Sequence, residues 1–376
     1  MQKTKKLFFL LLIIIISGLS GIFANRYIFP RLATTKFFTK YDFLKRSTSD
    51  VTIINKTEQI YIKDDTSISK IVRQPLSSVV SIISYSADSK KTPIIKNGTG
   101  LVVTSDGLIV TYAGAITTEN ASYKILTDNE NIYDAELLEI DSYSNLAFLK
   151  INASNLSVAS FADSNESKPG EKIIAIGNDS QSHSPSFAAG ILSSFRHHYN
   201  LSEKSIASSE KLEGVFEIDL SAQNHYIGGP VVDYAGQIIG ITGMVYRDNK
   251  ESYFQIPSNK IKLVIDKQIR RELGTNPALG LYYLPITKTF SLINALPNES
   301  GALIYSPSGQ QGLAVLANSP AANAGLRIND IITEISGEKI STEKSLPDIL
   351  YGHKKGTEVE LTILRNLQEM KIKVQL

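Results

Sequence analysis

The chain has 376 residues, long enough for two domains and a tail, and its net charge of +2 argues against a nucleic-acid-binding surface. A hydrophobic fraction of 42% with 8% aromatic residues fits globular domains with ordinary cores. It contains no cysteine, so disulfides and thiolate metal sites are excluded, while the compartment stays open.

Lys3, Lys5 and Lys6 precede an apolar run from Leu7 to Ala24. As a helix this run is roughly 27 Å long, close to the thickness of a bilayer core. It reads as a membrane anchor over 7–24, with 1–6 as a cytoplasmic tail. The competing reading is a signal peptide cut after Ala24, against which Ile22 is large for its position. Arg26, Arg31, Lys36 and Lys40 follow the run, so the positive-inside count does not orient it; long domains translocate largely regardless of such charges. Residues 25–66 read as a juxtamembrane stalk, with Phe37 to Leu44 packing on a membrane, a neighbouring subunit or the following domain. Ile68, Ile71 and Val72 have helical spacing, which Pro75 should end.

From Ser77 onward short apolar runs alternate with turns. Strands are expected at 78–84, 101–104, 108–111, 135–140, 146–151, 172–177, 214–219 and 237–241. Asp106-Gly107 is a hairpin signal between the second and third. This density of short strands predicts an all-β barrel or sandwich pair over 67–270, closed by a helix at 259–269. Gly274 to Pro277 marks a boundary. Residues 271–376 then read as a small α+β module. Its expected features are a hairpin of 302–305 with 312–316, a short helix capped by Ser319 with Pro320 in its first turn, a strand at 330–335, and two terminal strands.

The stretch Ile218 to Pro230 organises the rest. Its ending, Ile227-Gly228-Gly229-Pro230-Val231-Val232, resembles the Ser-Gly-Gly-Pro-Leu-Val turn that carries the nucleophile of trypsin-like serine proteases. Asp219 falls where the HtrA/Deg branch has the Asp of Thr-Asp-Ala-Ala-Ile-Asn-Pro-Gly-Asn-Ser. Residues 98–111, 170–178, 190–194 and 254–258 are similar to further stretches of that family, in the same order. Residues 319–332 resemble the PDZ motif Ser-Pro-Ala-x-x-Ala-Gly-Leu-x-x-Gly-Asp-x-Ile. The resemblance covers roughly residues 75–376. It implies a trypsin-like double β-barrel, then a PDZ domain, lying outside the cytoplasm, and it implies a homotrimer that no residue pattern here shows.

The implied chemistry needs an alcohol, an imidazole to take its proton, and a carboxylate to orient that imidazole. Where the family reads Asn-x-His-Val after Thr111, this chain reads Tyr112-Ala113-Gly114-Ala115, so Gly114 stands at the histidine position. Asn145 stands at the aspartate position and Ile227 at the serine. His225 replaces the glycine whose N–H faces the oxyanion. A substitute built from Ser221, His225 and Tyr226 has no evident orienting acid. His197-His198 lacks a third metal ligand and reads as a solvated loop. Asp219 reads as a loop-holding residue. No cofactor and no metal are expected. The function expected is that of a pseudoprotease, a scaffold or regulator binding peptides or unfolded or membrane proteins, its partners including an active relative. The alternative is an active endopeptidase of protein quality control. Leu279-Gly280-Leu281 fits the PDZ loop whose amides hold a peptide C-terminal carboxylate; the plainer reading makes both leucines core residues of a strand.

Overall fold

The computed structural model describes residues 2–28, 31, 68–86, 94–178, 184–202, 206–220, 226–247 and 250–376. They fall into two units, residues 1–64 and 65–376.

In the first unit an α-helix, Gln2–Phe23, passes into a wider turn, Ala24–Ile28. The stretch Phe8–Ile28 is long and apolar enough to cross a membrane. Its polar atoms are satisfied within the helix: Ser17 Oγ donates to the Ile13 carbonyl (2.9 Å) and Ser20 Oγ to that of Ile16 (2.8 Å). That pairing is what a hydrocarbon solvent demands. Nearly all of the expected stalk, including Phe37 to Leu44, lies outside the described residues.

The second unit begins with two short helices, Ile68–Ile71 and Arg73–Leu76. Pro75 does not end the helical segment. It sits in the first turn of the second helix, where a missing N–H has no intrahelical partner to lose. Strands β1 (Val79–Ser86), β2 (Ile94–Val102), β3 (Leu108–Tyr112), β4 (Ala121–Leu126), β5 (Ile132–Ile140) and β6 (Leu146–Ile151) close a barrel in the order β1-β2-β3-β6-β5-β4. The Asp106-Gly107 turn joins β2 to β3 as expected, pairing Leu101 with Val110. Gly107 has φ +97°, and a Cβ there would lie 2.5 Å from the Ile151 carbonyl oxygen, so the turn needs glycine.

A second barrel follows, built from β7 (Lys172–Asn178), β8 (Pro185–Asn200), β10 (Glu213–Leu220), β11 (Pro230–Asp233), β12 (Ile238–Arg247) and β13 (Lys250–Pro257). Its order is β10-β13-β12-β11-β7-β8. The two-residue β9 (Ala207–Ser208), in the β8–β10 connection, is left out of that barrel. Val110, Tyr112, Phe148, Ile174, Ile241 and Phe254 belong to one buried cluster drawn from both barrels, so the barrels share a core. The helix Ser258–Ile269 closes this part, within a residue of expectation.

The last part is a sheet of β14 (Tyr282–Ile286), β15 (Gly301–Ile304), β16 (Ile331–Ile335), β17 (Glu338–Lys339), β18 (Glu358–Arg365) and β19 (Gln368–Gln375). The order is β19-β18-β16-β15-β14-β9, with β17 on β16, so the edge strand comes from the second barrel's connection. Ser319 caps the helix Pro320–Asn323 by accepting from the Ala322 N–H. The expected hairpin of 302–305 with 312–316 does not form. Gln311–Ala314 is a helical turn, and Val315 bridges to Leu281 instead. An apolar run this short does not by itself separate strand from helix.

Candidate functional site

β3 delivers Tyr112 into the shared core, and the chain then makes a 3₁₀ turn, Ala113–Ala115. The Ala113 N–H donates to the Asn145 carbonyl (2.8 Å), which ties this turn to the start of β6. Asn145 itself has φ +58°, a left-handed conformation that asparagine tolerates better than most residues. Against the same turn comes the segment 226–229. Gly228 has φ +82°, and a Cβ there would meet Thr111 Oγ1 at 2.2 Å and Ala115 Cβ at 3.0 Å. A hydrogen bond thus ties the turn around Gly114 to Asn145, and the segment that carries Ile227 approaches the same turn through Gly228.

What stands at those positions has little chemistry. Ile227 is half-buried and packs against both the shared core and the second barrel's own cluster. A Cβ on Gly114 would touch the Tyr112 ring at 3.0 Å, so the tyrosine occupies space into which a side chain at 114 would grow. Tyr112 is itself buried and packs edge-on against Phe254 (5.8 Å between centroids). The Asn145 amide oxygen accepts from Lys211 Nζ (2.9 Å), while Lys96 Nζ donates to the Gly114 carbonyl. Burial lowers the Lys96 ammonium below the ordinary lysine range. Cationic donors therefore face two of the three positions. Lys96 and Lys211 belong to no motif, so nothing in the sequence marks them.

Ser221 and His225 lie outside the described residues. Asp219 is an exposed residue of β10 opposite Ile191, a strand position rather than a loop anchor. His197 and His198 are not in a loop either. Both lie on β8, where His197 Nδ1 contacts the Thr342 carbonyl (2.9 Å) and His198 Nδ1 the Glu213 carboxylate (3.4 Å).

The loop 279–281 performs two jobs at once. The side chains of Leu279 and Leu281 are fully buried in the core of the last sheet. The amides of Leu279 and Gly280 face a carboxylate of the same chain: Glu210 Oε1 accepts from Leu279 N (2.9 Å), Gly280 N (2.7 Å) and Ser209 Oγ (2.6 Å). Glu210 Oε2 accepts from Ser208 Oγ (3.0 Å). Leu281 N donates to Ser209 Oγ (3.1 Å), and Ser209 N donates to the Leu281 carbonyl (3.1 Å). Gly280 needs φ +76°, and a Cβ there would run into Ser319 Cβ at 2.3 Å. Beyond the loop, Ser208 and Ala207 pair with Tyr282 and Tyr283 as an antiparallel strand.

Polar contacts join this last part, through the helix Leu346–Tyr351 and β14, to both barrels. Asp348 takes Lys260 Nζ at 2.9 and 3.1 Å and also the Tyr143 hydroxyl. The Tyr283 hydroxyl donates to the buried Glu213 carboxylate. Burial, with Asp348 beside one and Glu213 beside the other, raises both hydroxyls well above the ordinary tyrosine range and keeps them donors.

Residues 98–241 match the trypsin-like peptidase domain, and residues 292–376 match the PDZ domain. The Do-like serine protease HtrA of Lactobacillus helveticus is 28% identical over 305 residues, which is 78% of this chain and 68% of that protein. This chain belongs to the HtrA family. The Do-like HtrA of Bacillus subtilis (strain 168) is 30% identical over 284 residues, 69% of this chain and 61% of that one. Against a probable periplasmic DegP-like endoprotease of Brucella suis biovar 1 the identity is 27% over 285 residues, and this HtrA chain spans about half of that relative, 52%. Among solved structures, the HtrA-type protease AlgW with a tripeptide superposes with a TM-score of 0.65 at 21% identity, covering 82% of this chain and 96% of that one. At that identity the likeness speaks for the fold alone. In HtrA terms, the two barrels are the trypsin-like part, and the stretch matching the PDZ domain begins at residue 292, after β14.

Proposed function

We propose that this HtrA-family chain does not hydrolyse peptide bonds and acts as a peptide-binding scaffold or regulator. The carrying observation is the residue set Gly114, Asn145 and Ile227 at the positions of base, orienting acid and nucleophile. Hydrocarbon at 227 supplies no lone pair, glycine at 114 no proton acceptor, and the Asn145 amide no negative charge for an imidazolium. The packing of Ile227 into two apolar clusters and the crowding of position 114 by Tyr112 support the same reading. Residues 7–24 remain as a membrane anchor, with 67–270 as the protease-like domain and 271–376 as the PDZ domain, both outside the cytoplasm. Its ligands are C-terminal peptides or unfolded or membrane proteins, with an active HtrA relative as a candidate partner and a homotrimer as the assembly.

The test is direct. Purified protein leaves casein intact and takes up no fluorophosphonate label; stoichiometric labelling of one serine, abolished by mutating it, overturns the proposal. That outcome would establish the second reading, an active serine endopeptidase, which the likeness to Do-like serine proteases favours. A reporter fused after Leu376 is expected outside the cytoplasm, and a mature N-terminus at Asn25 would replace the anchor by secretion.

A further inference from the structure

The amides of the PDZ loop are already engaged. Leu279 N and Gly280 N both donate to one carboxylate oxygen of Glu210, at 2.9 and 2.7 Å. From that point the preceding residues run antiparallel to β14, Ser208 opposite Tyr282 and Ala207 opposite Tyr283. A peptide that adds a strand to this sheet edge and places a terminal carboxylate on the loop would use the same edge and the same two N–H groups. Ala207 is also part of the buried cluster that contains Leu279, Leu281 and Tyr283, so the mimicry extends to apolar packing.

We propose that Ala207–Glu210 is a built-in ligand of the PDZ loop, with the Glu210 side chain standing for a C-terminal carboxylate, so that a free peptide acid must displace it. The proposal rests on the peptide-binding reading above for what competes, but the self-contact stands separately. Two N–H donors on one carboxylate make charge-assisted bonds, stronger than neutral ones. Ser208 and Ser209 add hydroxyl donors to the same carboxylate, at 3.0 and 2.6 Å. Ser209 Oγ also accepts from Leu281 N at 3.1 Å, so the segment is held to the loop at three successive amides. A peptide meets this contact as a competing closed state, and its apparent affinity falls by the fraction of molecules in which the loop is open.

The experiment uses the full chain in detergent, as wild type, Glu210→Ala and the near-isosteric Glu210→Gln. The probe is a fluorescein-labelled octapeptide ending in a free valine acid, with its carboxamide twin. The acid should bind Glu210→Ala roughly 10-fold more tightly than wild type, with Glu210→Gln between them. The carboxamide should show no such gain. Equal affinity of the acid for wild type and Glu210→Ala overturns the proposal. If no variant binds either peptide, the peptide-binding reading fails, and hydrogen exchange at Leu279 and Gly280 decides the self-contact. Exchange roughly 10-fold faster in Glu210→Ala upholds the built-in ligand, and unchanged exchange overturns it. Should Glu210→Ala misfold, Glu210→Gln carries both measurements.

Discussion

At position 227 the proposal turns on one side chain, an isoleucine that packs against two apolar clusters. Restoring Ile227→Ser alone is expected to give no casein turnover and no fluorophosphonate labelling, because the new hydroxyl faces no base. Measurable turnover by that variant would show that the reacting position lies elsewhere. Gly114→His should meet the Tyr112 ring, 3.0 Å from the position of the new Cβ. Overpacking of this kind costs about 1–3 kcal/mol. A thermal melt unchanged by Gly114→His would mean the ring is not the obstacle. Two buried tyrosines carry a pH signature. Burial raises Tyr143 and Tyr283 well above their ordinary range in the folded chain. Above about pH 10 the unfolded chain loses those protons while the folded chain keeps them. Their contribution is therefore whole below pH 10 and declines as pH rises through the folded values. Tyr143→Phe and Tyr283→Phe should lower stability at neutral pH and flatten the alkaline decline; an unchanged alkaline slope would contradict the burial.

Turns and caps decide how the elements meet. The segment 226–229 can lie against β2 and β3 only because Gly228 adopts φ +82° and brings no Cβ within 2.2 Å of Thr111 Oγ1. Gly228→Ala combines a left-handed backbone with overpacking, and a loss of more than about 2 kcal/mol in denaturant unfolding is expected. A near-neutral result would mean that the segment is free to shift. Ser319→Ala should cost about 1 kcal/mol through its lost N-cap. Both sites were legible as motifs, the glycine in Gly228-Gly229-Pro230 and the serine in Ser319-Pro320. The hairpin expected around 306–309 was not, because four apolar residues at 313–316 suit a strand or a helical turn equally. Long-range contact with Leu281 chose between them.

Across the second unit, a polar seam holds the C-terminal part to both barrels through the helix Leu346–Tyr351 and β14. Asp348 sits at its centre, holding Lys260, Tyr143 and its own helix cap Ser345. Lys260 and Asp348 keep side-chain exposures of 21% and 18%. Asp348→Ala should therefore cost about 2–3 kcal/mol, less than the 3–5 kcal/mol of a fully buried pair. Limited proteolysis should then cut between the barrel and the PDZ part, as at Gly274–Pro277. Undiminished resistance would show that apolar contact alone holds the seam. The seam also reaches His197, read from the sequence as part of a solvated loop: the residue is exposed, but it lies on β8, where its Nδ1 meets the Thr342 carbonyl.

By itself the sequence determined the two-barrel architecture, the PDZ module, the apolar N-terminal helix and the residue types at 114, 145 and 227. Local periodicity and turn glycines gave only a β-rich part and an α+β module; the double barrel and the PDZ domain came from the family resemblance carried by short motifs, which neighbouring residues encode. Only tertiary structure decided that Lys211 faces Asn145, that Tyr112 crowds Gly114, and that Glu210 meets Leu279 and Gly280 from 69 and 70 residues away. A single glutamate in a polar connection has no periodicity and no motif. Its role exists only because closing the second barrel carries the 207–210 segment to the edge of β14, where two unpaired N–H groups need an acceptor.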